Sequence, residues 1–153
     1  MEIKETDFIG KWLGMSAHKM SLLVTKMLHA NGFALTHEQM VLLKIISCSE
    51  GISQKELAIK LDRDKTSIAR SINTLEKNHK VVRINTGEDK RINNLYLTKE
   101  GHQLLEEIHP LFINLTNEVL ADFSEEEITQ LKSTLSKLIH TLNTIEIRLH
   151  TQQ

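Results

Sequence analysis

Asp89, Lys90 and Arg91 stand in a row in the stretch EDKRINNLYLTKEG, between a turn signal and an alternating run. Upstream, KTSIARSINTLEK places Lys65, Thr66, Ser67, Arg70 and Asn73 away from a narrow stripe of Ile68, Ile72 and Leu75. Cationic side chains mixed with hydroxyls and amides can neutralise phosphates and donate to base edges. They are not a nucleophile with its base. Neither a Ser-His-Asp arrangement nor a Gly-rich phosphate loop is recognisable in the sequence.

Histidine raises two other chemistries. There are eight (18, 29, 37, 79, 102, 109, 140, 150). His37, Glu38, His102, Glu106 and His109 would supply zinc ligands if the second and fifth helices brought them together. The sequence has no HxxxH and no cysteine-containing ligand pair. The pattern ExxH occurs at Glu76/His79 and at Glu106/His109, as in di-iron helical bundles. The first pair, however, falls at a helix end just before a strand. Scattered surface histidine is the better account of the eight, with zinc sensing and a di-iron enzyme as the alternatives.

The chain has 153 residues, 40% apolar and 25% charged, enough for one domain with its own core. No apolar run is long enough to span a bilayer, and MEIKETDF does not read as a signal region; a cytoplasmic protein is expected. Cys48, the only cysteine, excludes an internal disulfide, and its apolar run MVLLKIISC reads as burial. Net charge is −1, unevenly spread. Residues 53–99 hold eleven Lys or Arg against six acids, a net +5, whereas the remainder holds eight against fourteen, a net −6. A basic centre between acidic arms is the footprint expected where a protein meets phosphates.

The elements that would position these groups are mostly helical. Apolar residues at 8, 12, 13, 20, 23, 24, 27 and 28 mark a first helix that stops at Asn31-Gly32. THEQ (36–39), SQKE (53–56) and SEEE (124–127) are capping boxes, each opening a helix. The SQKE helix lasts about two turns before Asp62 and Asp64 offer a new cap. The following amphipathic segment completes a helix-turn-helix. VVRIN (81–85) and INNLYL (92–97) then read as a two-stranded hairpin with Gly87 in its turn, so the Asp-Lys-Arg triplet lies near its tip. Thr98 can cap a long helix in which Pro110 predicts a kink near residues 106–110. The outer helices keep apolar ends, Ile9, Trp12 and Leu13 on one arm and Leu142, Ile145 and Leu149 on the other, which suggests a twofold partner chain.

The segment DKRINNLYLTKEG resembles the wing of the MarR family of bacterial transcriptional regulators, whose pattern is Asp-x-Arg, a strand, then Leu-Thr-x-x-Gly. Asp89, Arg91, Leu97, Thr98 and Gly101 fit it with its spacing. SQKELAIKLDRDKTSIARSINTLEKNHKVVR is similar to that family's helix-turn-helix and first wing strand, and the element order of the whole chain fits. One departure is Asn78-His79-Lys80, where relatives usually carry Gly after the recognition helix; Asn or His must then take the left-handed turn. The resemblance implies a mainly α fold with a small β-hairpin wing, a winged helix-turn-helix over 36–99 flanked by dimerisation helices over 1–30 and 100–153, in one 1–153 domain.

It further implies a sequence-specific double-stranded-DNA-binding regulator, a repressor relieved by a small aromatic or anionic effector, with no enzyme activity. Residues 65–73 are expected in the major groove, with Arg70 as base reader and Lys65, Thr66, Ser67 and Asn73 on bases or phosphates. Ser53 and Gln54 have first-turn N–H groups suited to a phosphate. Lys90 and Arg91 are expected on the DNA, Arg91 in the minor groove, and Asp89 as the brace of an arginine. A homodimer would read a pseudo-palindromic site. Trp12, Met15 and Met40 are the candidates for an effector crevice, although Met and aromatic residues at helical spacing more often form plain core.

Overall fold

The computed structural model describes residues 8–85 and 93–151. Its element order is α1 (Ile9–Ala30), α2 (His37–Cys48), β1 (Ile52–Ser53), α3 (Gln54–Lys60), α4 (Lys65–Lys77), β2 (Val81–Ile84), β3 (Asn94–Leu97), α5 (Lys99–Val119) and α6 (Glu125–His150). All three capping boxes form. Thr36 accepts from the Gln39 amide, Ser53 from Glu56 and Ser124 from Glu127, and each third-position side chain reaches back to its cap. Each box satisfies two of the amides that a helix start leaves without carbonyl partners.

α1 ends as its sequence directs. Gly32 takes φ +83°, and the Phe33 amide turns back to the Leu28 carbonyl at 3.0 Å.

The sheet has three strands in the order β1-β3-β2, all antiparallel, one more than the hairpin expected from sequence. Val81 faces Leu97 and Arg83 faces Leu95 across the β2–β3 pair, while Ile52 faces Leu95 on the other side. β1 spans two residues, too few to show a period in the sequence. It exists because β3 offers a second edge beside the start of α3.

Contacts divide the chain into two compact units, up to Ile113 and from Asn114 onward. In the first, α2 packs on α1, α4 and β3. Its core is Leu28, Leu42, Leu43, Ile46, Leu57, Ile68, Ile72, Leu75, Val81, Leu95 and Ile108, all essentially without solvent contact. Burying such side chains stabilises by about 1.5–3 kcal/mol each. Cys48, expected in this core, is exposed instead. It lies two residues past Ile46, about 200° around the helix, and so faces away from the packed side.

The second unit contains the end of α5 and all of α6. None of the α6 side chains described is buried, and Leu142, Ile145 and Leu149 are exposed. α5 is one helix through Pro110. Its start shows why the Leu-Thr-x-x-Gly spacing matters. Thr98 donates from Oγ1 to the His79 carbonyl at 2.6 Å and accepts there from the Gly101 amide at 3.0 Å. A Cβ on Gly101 would collide with the Lys80 carbonyl oxygen. Only glycine lets the helix start come this close to the strand entry.

Candidate nucleic-acid interface

α3 and α4 are joined by residues 61–64, in which Asp62 takes φ +48°. Asp64 then caps α4, accepting from the amides of Thr66 at 2.8 Å and Ser67 at 3.1 Å. Those two bonds, with a smaller attraction from Arg70, hold its carboxyl below the usual value. Ile68, Ile72 and Leu75 anchor the helix in the core. Lys65, Thr66, Arg70 and Asn73 are thereby left exposed, with Ser67 half-buried beside them. Ser71 donates to Glu38 at 3.4 Å and ties α4 to α2. Thus the structure gathers the five recognition-helix residues on one rigid, solvent-facing element.

Ser53 and Gln54 stand at the neighbouring start of α3, but Ser53 is less available than its sequence suggests. Its amide donates to Glu56 Oε2 at 2.8 Å. The Glu56 carboxyl is lowered first by the Ser53 hydroxyl and then by that backbone bond. The first-turn amides of Gln54 and Lys55 are those that such a cap does not reach. Asp89, Lys90 and Arg91 lie outside the described residues.

One residue of the site went unread in the sequence. Arg83 on β2, with a side chain only 19% exposed, makes an ion pair with Glu76 of α4 through Nη1. Its Nη2 donates to Asn73 Oδ1 at 2.7 Å and to Gln54 Oε1 at 3.3 Å. A signal was present: in an alternating strand Arg83 shares a face with Val81, which is buried, and an arginine on that face requires partners. The pairing also accounts for Glu76, half of the first ExxH. The other half, His79, takes φ +55° and fills the left-handed position at the end of the recognition helix, while Asn78 stays at φ −89°.

The effector candidates separate. Met40 is buried and lines a cleft of about 280 Å³ between α2 and α5, with His37, Lys44, Ile108, His109 and Phe112. Burial lowers the His37 pKa from its ordinary 6.5. Trp12 and Met15, 59% and 43% exposed on α1, do not line this cleft. Of the histidine–carboxylate set, His37 and His109 share the cleft, His102 meets Glu50 at 3.2 Å, and Glu38 meets Ser71. Among the described residues no three His, Cys, Asp or Glu side chains converge as a metal site would require.

A short helix, a tight turn, an amphipathic helix polar outside and a small antiparallel sheet define the winged helix-turn-helix class. The MarR family model matches residues 35–92. The uncharacterized HTH-type transcriptional regulator YwoH of Bacillus subtilis is 35% identical over 95 residues, 62% of this chain and 69% of that protein. The HTH-type transcriptional regulator BilQ of Clostridium symbiosum is 38% identical over 88 residues, covering 58% of this chain and 61% of that one. The chain therefore spans less than two thirds of the length of BilQ. The crystal structure of a mutant MarR from Escherichia coli complexed with operator DNA superposes with a TM-score of 0.78 at 26% identity, over 85% of this chain and 92% of that one. The chain belongs to the MarR family, and the relatives it matches are transcriptional regulators rather than enzymes.

Proposed function

We propose that the protein binds double-stranded DNA in a sequence-specific manner as a homodimer and represses transcription until a small effector releases it. The observation that carries the reading is the α4 face. Lys65, Thr66, Arg70 and Asn73 project from a helix whose other side is locked into the core, inside a segment of net charge +5. A rigid amphipathic helix of this size fits the major groove, where side chains distinguish base pairs. Arg70 reads a base through its planar fork. Lys65, Thr66 and Ser67 settle the register on bases or phosphates, with Gln54 and the Ser53 cap beside the backbone. Lys90 and Arg91 extend the contact to a neighbouring groove, and Asp89 braces an arginine.

Residues 36–99 form the DNA-binding region of a single domain, and residues 1–30 and 100–153 carry the dimer. The uncovered apolar side chains at the start of α1 (Phe8, Ile9 and Trp12) and at the end of α6 (Leu142, Ile145 and Leu149) are the surface for a second copy. Two copies would read half-sites of a pseudo-palindrome about 34 Å apart on one DNA face. Repression is the sign that occupancy alone can produce, because a dimer lying across a promoter excludes other proteins. The cleft of Met40, with Lys44 and two histidines at its apolar walls, suits an aromatic or anionic effector. An effector acts by preferring one spacing of the two winged helices. Among the described residues no helix is long and apolar enough to cross a membrane, which agrees with a cytoplasmic regulator.

Arg70→Ala tests the reading. Fluorescence anisotropy at fixed salt should show base preference relaxed by about 1–3 kcal/mol at one position of each half-site. Unchanged affinity and preference would refute the docking of α4.

A further inference from the structure

We infer that Arg83 is a positioning residue of the DNA-binding surface, and that it fixes Asn73 and Gln54 as hydrogen-bond donors to the phosphate backbone. The inference rests on the proposed DNA binding and refines which contacts read sequence.

Arginine carries donors and no acceptor. Both amides must therefore turn their oxygens toward Nη2, as the 2.7 Å and 3.3 Å contacts record. The amide –NH2 of each is thereby directed away from the guanidinium. Asparagine reads adenine only when its oxygen and its nitrogen act together, accepting from N6 and donating to N7. Arg83 takes one lone pair of the Asn73 oxygen and sets the amide's orientation, which turns the –NH2 outward, and an exposed donor beside Arg70 suits a phosphate oxygen. Gln54, at the first position of α3, faces the same choice with the same answer.

The guanidinium itself is poorly placed to meet DNA. It is mostly buried, and its charge is matched by Glu76. What it does is join three elements: the start of α3, the recognition helix at residues 73 and 76, and the first strand of the wing. Lysine cannot replace it, since an ammonium on a flexible stem lacks the fork that spans three acceptors.

The test uses the full chain, a duplex from upstream of its own gene and a random duplex, with affinity read by anisotropy over a range of salt. Arg83→Lys should weaken binding to both duplexes roughly tenfold, the scale of losing aligned donors. On a Gln54→Ala/Asn73→Ala background the same change should have no further effect. An equal loss on both backgrounds, or no loss on either, would overturn the inference. Arg83→Gln combined with Glu76→Gln removes the ion pair at constant net charge and should leave the salt slope unaltered, whereas a slope reduced by about one would mean a direct phosphate contact. Should either Arg83 variant fail to fold by circular dichroism, Asn73→Ala alone decides. A uniform loss over a set of single-base operator variants supports the assignment, and relaxed preference at one base pair contradicts it. Wild-type chain that binds neither duplex would end the DNA reading itself, a result distinct from variants that bind as wild type does.

Discussion

α4 and α6 carry the same kind of apolar stripe and meet opposite fates. Ile68, Ile72 and Leu75 of α4 are covered by α2, α3 and the sheet, whereas Leu142 and Leu149 of α6 remain 55% and 58% exposed. The first helix has its packing surface supplied by its own chain. The second lacks it: among the described residues, none of its side chains is buried. The winged helix thus holds its shape through its own core, while the outer helix leaves its apolar side chains uncovered, as the proposed dimer requires.

Substitutions of apolar side chains should separate the two regions most strongly. Leu43→Ala should lower the stability of the winged helix by about 2–5 kcal/mol, measured by urea unfolding, since the side chain has no solvent contact to regain. The matching change on the outer helix, Leu142→Glu, should leave amide-exchange protection around Ile72 intact and weaken self-association about tenfold or more in sedimentation. Equal loss of protection in both variants would erase the distinction between the two regions.

Smaller effects are expected where backbone geometry, not burial, sets the local structure. Gly101→Ala should cost about 1–3 kcal/mol, because the added Cβ would press on the Lys80 carbonyl. His79→Gly should raise stability by about 1 kcal/mol by relieving a left-handed backbone at the end of α4. A neutral result in thermal unfolding for either variant would show that the turn between α4 and β2 yields more than its contacts imply.

Acid should have the mildest influence. Glu56, Asp64 and Glu100 all hold their carboxyls below the ordinary range, mainly through hydrogen bonds at helix starts. A lowered folded-state pKa stabilises fully above the unfolded value and is lost as pH falls through the folded one. Their contribution should therefore fade below the ordinary 4.5 of Glu and 3.8 of Asp. His37, lowered from 6.5 by burial, acts in the same direction at milder pH. Its share begins to fade as pH drops through 6.5, so His37→Gln should flatten the first part of a thermal-midpoint profile taken from about pH 8 to about pH 5. A variant profile parallel to that of the wild type would contradict this role of His37.

The parts of the fold legible in sequence were those decided by neighbours along the chain. Each capping box lies within four residues, so THEQ, SQKE and SEEE announced their helices without reference to anything distant. The polar face of α4 followed from the spacing of Ile68, Ile72 and Leu75. What escaped depended on partners far apart in sequence. β1 needs Leu95 and Asn94 across the sheet. The Arg83 cluster needs residues 54, 73, 76 and 83 together, and the exposure of Cys48 depends on which side of α2 the core occupies. Met40 lines the cleft between α2 and α5, whereas Trp12 and Met15, which the sequence groups with it, are not among the residues that line that cleft.

DNA binding itself is decided by a salt titration of the purified wild-type chain against the duplex upstream of its own gene, with a random duplex alongside. Affinity for both should fall steeply and linearly on logarithmic axes as salt rises, with tighter binding to the upstream duplex by about a thousandfold or more. A monomer that binds neither duplex in dilute buffer would contradict it.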